Sequence, residues 1–243
     1  MANPVMTRGF NEQSGPLVSD DRMTAAGVSR ASLILLAIFA PSALFGWTSV
    51  AIDQGRFPSW MLGAVVLGLG CVIVGMFKPT WARIIGPVYA VAQGALVGAI
   101  SAVYATAYEG IVFQAVLATF LTVVVMAVLY ATRTIRVTEK MRSIIMVATG
   151  GIFLFYLVSF GLSFLGVNVP LVWDSGPLGI LFSVAVVGLA AFNLLLDFDL
   201  IERGVQGGAP AYMNWYAAFG LLVTIVWLYL EILRLLAKLQ DRR

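Results

Sequence analysis

Seven long apolar runs, separated by short clusters of charge, organise this chain. Residues 31–52 are uncharged between Arg30 and Asp53, and 57–77 between Arg56 and Lys78. The third run, 84–108, ends at Glu109, and the fourth, 110–132, ends at Arg133. A fifth extends from Ser143 to Trp173, where Asn168 and Pro170 set the helix end near Gly166. The sixth, 175–196, opens at Pro177 and closes at Asp197; the seventh lies between Arg203 and Glu231. Each exceeds the roughly 18 apolar residues that mark a spanning helix. The expected fold class is therefore all-α, a polytopic membrane protein with seven transmembrane helices. The domain plan is a polar N-terminal tail over 1–30, a transmembrane domain over 31–239 and a polar C-terminal tail over 240–243.

Composition supports a bilayer as the solvent. The 243 residues are 60% hydrophobic and only 11% charged, against roughly 25% charged in a soluble domain, and the mean hydropathy is +0.95. The tail carries Glu12, Asp20, Asp21 and Arg22 and lacks the apolar core of a signal peptide. Thr24 is suited to cap the first helix.

Basic residues set the orientation. Arg8, Arg22, Arg30, Lys78, Arg83, Arg133, Arg136, Lys140, Arg142 and Arg203 fall on the N-terminal side, and Arg56 alone falls in the opposite loops. That bias places the N-terminus in the cytoplasm. Arg234, Lys238, Arg242 and Arg243 then lie outside if the last helix is a full span, which is the expectation. The outer loops hold Asp53, Glu109 and Asp174 and would draw cations, although loops are commonly polar without such a role. A bacterial inner membrane suits the short loops. The dispersed basic residues indicate no nucleic-acid partner.

The chain has no histidine and one cysteine, Cys71. Serine–histidine and cysteine–histidine nucleophiles, HExxH zinc sites and histidine pH sensors are all excluded. No intrachain disulfide can form, and no P-loop or GxGxxG is present. The expectation is a protein that is not an enzyme and has no bound cofactor.

Ionisable side chains inside spans are costly and mark function by default. Two stretches carry them: Leu194–Arg203, with Asp197, Asp199 and Glu202, and Trp227–Leu236, with Glu231 and Arg234. On a helix Asp197 and Asp199 point in nearly opposite directions, so only one can face the interior. Arg234, three residues after Glu231, is a ready local partner for it.

These two stretches resemble the motifs that end the sixth helix and fill the last helix of the Bax inhibitor-1 (YccA-like, transmembrane Bax inhibitor motif) family. Asp197-Phe198-Asp199-Leu200-Ile201 is similar to the first, and Leu228-Tyr229-Leu230-Glu231-Ile232-Leu233 to the second. The span count, the polar tail and the basic loops after the second and fourth helices agree. The resemblance implies that the last helix is central, wrapped by the other six. It also implies a proton-sharing carboxylate pair, Asp197 with Glu231, that gates a pH-sensitive calcium leak. Two such groups in low dielectric cannot both ionise freely. Calcium ions and protons are then the ions handled, with Asp197 and Glu231 as transient calcium ligands.

Three departures from the pattern follow. The second carboxylate is Glu, Asp199 adds a third candidate acid, and the link between the motifs is about ten residues longer than in relatives. A straight helix from Ala211 would carry Glu231 roughly 30 Å along its axis, far from Asp197. Restoring the pair requires a break near Gly220, with Tyr212, Trp215 and Tyr216 lying at the interface. Lys78 or Arg83 corresponds to a basic residue near the pair in relatives, or serves as a positive-inside anchor.

Other readings compete with a leak channel. The same acids would suit a proton-coupled secondary transporter, although no internal repeat is evident. A non-conducting regulator of a membrane protease or another membrane protein would use the N-terminal tail as its handle. Gly94 and Gly98 form a small-xxx-small pattern suited to close helix packing. Gln93 and Asn193 are expected to make interhelical hydrogen bonds, and Gly207-Gly208-Ala209-Pro210 to form a turn.

Overall fold

The structure is a computed structural model describing residues 22–52, 58–164 and 174–242. Its helices are α1 (Ala25–Ile52), α2 (Trp60–Phe77), α3 (Ala82–Ala107), α4 (Ile111–Ala131), α5 (Glu139–Phe164), α6 (Pro177–Gln206) and α7 (Tyr212–Gln240). All seven are long and apolar enough to cross a membrane. A single 3-10 turn, Pro79–Trp81, joins α2 to α3. The expected end of the fifth helix near Gly166 lies outside the described residues.

Thr24 does cap α1: its hydroxyl accepts the Gly27 N–H at 2.9 Å. The same entry segment is tied to the α6–α7 turn. Met23 N–H donates to the Ala209 carbonyl at 2.7 Å, and Thr24 N–H to Asn214 Oδ1 at 3.0 Å. Gly208, at φ 63, supplies the left-handed residue that this turn needs.

Close packing of α1 on α3 explains the small residues in both. A Cβ on Gly98 would lie 1.8 Å from the Ala43 carbonyl oxygen, one on Gly94 2.6 Å from that of Phe39, and one on Gly46 1.9 Å from that of Ala95. Helices in lipid gain nothing from burying apolar surface as such, so backbone approach and dispersion hold them together. Gln93 Nε2 donates to the Ala64 carbonyl on α2, and Asn193 Nδ2 to Thr149 Oγ1 on α5, as expected of polar residues between helices.

Helix α7 is central, packing against α1, α3, α4 and α6. It shares that position with α3, whose span is 72% buried against 44% for α7. Phe219 of α7 meets Tyr89 of α3 edge-on at 5.2 Å and fills the space left by Gly75 of α2. Tyr229 and Ser101 share a 2.6 Å hydrogen bond between the same two helices.

The break expected near Gly220 does not occur; α7 is one helix from Tyr212 to Gln240. A lone glycine costs a helix only about 1 kcal/mol. The packing of Phe219 and Leu222 on either side outweighs that. The longer link is absorbed instead by α6, which continues to Gln206, and by the early start of α7. Tyr212, Trp215 and Tyr216 accordingly form the first turns of the span, not a separate interfacial segment.

Seven crossings put the two ends of the described chain on opposite faces. On the N-terminal face lie the α1 entry and the α6–α7 turn. On the other, Asp241, just past α7, accepts hydrogen bonds from Tyr108 Oη at 2.5 Å and Ser175 Oγ at 2.8 Å. The last helix is thus a full span.

Replacing Gly98 with leucine drives a side chain into backbone and is expected to cost about 3 kcal/mol or more. Gly63→Ala, where a Cβ meets nothing within 4 Å, should stay within about 0.5 kcal/mol of the parent. Thermal unfolding in detergent compares the two; equal melting points would contradict the close α1–α3 contact.

Candidate functional site

Asp197 sits on the inner side of α6, about 14 Å from the helix end at Gln206 at 1.5 Å per residue. It lines a cavity of about 230 Å³ between α2, α6 and α7, together with Val72, Gly75, Gly220, Val223 and Thr224. The Thr224 hydroxyl is its side-chain hydrogen-bonding partner. The second carboxyl oxygen, Oδ2, is screened from solvent and has no hydrogen-bond partner. Among the described residues no arginine or lysine forms an ion pair with Asp197. The cavity has room for several waters, each needing about 10–15 Å³.

Glu231 has the opposite environment. It is 2% exposed and gripped by donors: Arg234 Nη1 reaches both carboxyl oxygens at 2.9 Å. Tyr156 Oη donates to it at 3.1 Å from α5, and Trp227 Nε1 at 3.2 Å. Arg234 also donates to Tyr156 Oη at 2.9 Å and lies 5.1 Å from the centre of that ring. One turn further, buried Lys238 donates to the Gly179 carbonyl of α6 at 3.1 Å.

The third acid, Asp199, is buried facing away from Asp197 and bonded to Arg142 of α5 and, at 3.0 Å, to Arg203. Arg203 in turn meets Glu139 at 2.9 Å. Next to this group Glu202 accepts hydrogen bonds from Tyr130, Arg133 and Gln206. Asp199 and Glu202 therefore belong to a belt of ion pairs that fastens α4, α5 and α6 at the N-terminal face.

The expected pair of Asp197 with Glu231 is not formed. Asp197 is level with Thr224, and from there Glu231 is about 10 Å further along an unbroken α7. Arg234 takes the partner position, so the local pair is the one realised. Asp199 is not a third member, because two arginines already neutralise it. Lys78 lies 4.8 Å from the Trp81 ring centre, Arg83 is exposed, and neither pairs with an acid among the described residues. A shared calcium site at Asp197 and Glu231 is likewise not assembled, and no group of three ligating side chains occurs among the described residues.

Several participants escaped the sequence reading. Thr224 and Tyr156 were not singled out in the sequence, and Gly220 was expected only as a helix break. Lys238 had a signal, a cation within reach of a carboxylate on the same helix, but position alone reads as a helix-end charge.

The site and fold together define a class: a seven-helix membrane bundle in which, among the described residues, Asp197 lies in the interior without an ion pair and Asp199, Glu202 and Glu231 are paired with arginines, around a central last helix. The sequence profile of the family described as Bax inhibitor 1 like matches residues 3–241, and the chain belongs to that family. No curated protein and no solved structure matches the chain.

Replacing Arg234 with alanine strands a buried carboxylate and should cost about 3–5 kcal/mol, whereas Glu231→Leu with Arg234→Leu should recover most of it. Unfolding of the two variants in detergent decides this; a harmless single change would contradict a buried Glu231–Arg234 ion pair. At the opposite face, the hydroxyls of Tyr108 and Ser175 hold Asp241 below the ordinary carboxylate range. Its contribution is present above about pH 3.9 and is lost as pH falls through the lower folded value. Because Asp241 is open to solvent the effect is small, and Asp241→Asn should flatten the acid limb of the stability profile.

Proposed function

We propose that this protein is a proton-sensitive cation leak in which Asp197, acting without a second carboxylate, is the group whose protonation sets the open fraction. The supporting observation is a carboxyl within the bundle, beside a cavity, lacking a cation of its own. With a proton on Asp197 the cavity wall is neutral and largely apolar, and such constrictions close by dewetting. Without it, the bare charge must be met by water or by a cation, since an unpaired ion in low dielectric is costly. Carboxylate and hydroxyl oxygens from Asp197 and Thr224 are hard ligands, which suits calcium, the ion implied by the family resemblance.

Further along α7, the neutralised Glu231–Arg234 pair with Tyr156 closes the route toward the opposite face. The orientation proposed is N-terminus in the cytoplasm, in a bacterial inner membrane, so that the cavity responds to cytoplasmic pH. A proton-coupled transporter would be favoured by discontinuous helices at the site. Here α6 and α7 are continuous through it.

Calcium flux into liposomes should vary between about pH 6 and pH 8 for the parent, and Asp197→Asn should make it pH-independent. The double change Glu231→Gln, Arg234→Gln should preserve the pH response, unlike a shared-proton pair. Gly220→Leu enters open space, since a Cβ there meets nothing within 4 Å; by filling the cavity it should lower flux about tenfold. A pH response that survives Asp197→Asn sinks the reading. Absence of flux from folded parent protein leaves the non-conducting regulator in its place.

A further inference from the structure

The basic residues of the N-terminal face are unequally satisfied. Arg133, Arg142 and Arg203 are matched by Glu202, Asp199 and Glu139. Arg136 and Lys140, between them in sequence, are exposed and form no ion pair among the described residues. These two cations stand at the entry to α5, a helix that packs chiefly on α6.

Between α5 and α6 lies an apolar groove of about 610 Å³ lined by Lys140, Ile144, Ala185, Gly188, Leu189 and Phe192. The helix register gives the groove its length. Arg203 meets Glu139 and Asn193 meets Thr149, so Lys140 is level with the last turns of α6, whereas Ala185 lies far up that helix. The separation is roughly 25 Å at 1.5 Å per residue. That is close to one leaflet of a bilayer about 40–45 Å thick with its headgroups. The floor is open because Gly188 has no side chain; a Cβ there meets nothing within 4 Å.

We propose that this groove is a binding site for one anionic phospholipid of the surrounding membrane, its phosphate held by Lys140 and Arg136 and an acyl chain lying over Gly188. Elongated apolar volume, a cation at one end and none along its length match a lipid, with charge at one pole only. Basic pockets between spans at the cytoplasmic side bind such headgroups for the same reason. A zwitterionic headgroup carries its own ammonium and gains less from the two cations. The site is independent of the Asp197 cavity, which lies on the opposite side of α6, and stands or falls separately from the leak.

The test uses the full chain in mild detergent, with phosphatidylglycerol or phosphatidylethanolamine of identical acyl chains added, and native mass spectrometry to read retained lipid. One phosphatidylglycerol should be held in preference to phosphatidylethanolamine. Lys140→Gln and Arg136→Gln should each weaken retention about fivefold. Gly188→Leu should displace the lipid without lowering the melting temperature. Gly70→Leu on α2, also directed at open space, should leave retention unchanged. Equal retention of the two lipids overturns the proposal. So does a Gly188→Leu effect no larger than that of Gly70→Leu, or a dimer of the chain that Gly188→Leu disperses.

Discussion

A charge buried inside this bundle is costly unless a partner answers it, and the architecture follows from how each charge is answered. Glu231 is surrounded by Arg234, Tyr156 and Trp227. Asp199 lies between Arg142 and Arg203. Such pairs add little net stability over apolar residues of the same shape, yet breaking one is expensive because the remaining ion is abandoned. They tie α5 to α6 and, through Tyr156, to α7, and α4 to α6. Asp197 is the exception, a carboxyl with a hydroxyl and a cavity for company.

The apolar packing that surrounds these groups is of a different kind. Glycines on α1 and α3 let backbones touch, and α3 becomes more buried than the central α7. A tightly fused α1–α3 pair gives α7 a rigid wall, against which Phe219 and Tyr229 are fixed by Tyr89 and Ser101. On the α2 side the contact is looser, with Gly220 leaving the space that Asp197 faces. α7 is therefore held firmly on one flank and borders open volume on the other.

The two faces of the bundle differ in a manner relevant to function. The N-terminal face carries the ion-pair belt, the clamp of Met23 and Thr24 on the α6–α7 turn, and Arg136 and Lys140, which form no ion pair among the described residues. The opposite face is held by hydroxyl bonds to Asp241. The groups on which both proposals rest, Asp197 and Lys140, lie in the N-terminal half of the bundle.

Hydrophobic runs bounded by charge were enough to place seven spans, because bilayer thickness demands a minimum apolar length and charge cannot enter it cheaply. The same logic singled out Asp197, Asp199 and Glu231 as the acids of interest, identified Thr24 as a cap, and paired Gln93 and Asn193 with neighbouring helices. Which acid met which base was beyond it. Asp197 and Glu231 share an apolar context along the chain, and only their levels on α6 and α7 separate them. Those levels depend on whether Gly220 breaks α7, and that was decided by Phe219 and Leu222 packing across helices distant in sequence. Local spacing supplies direction around a helix, whereas depth along it emerges from the packing of all seven.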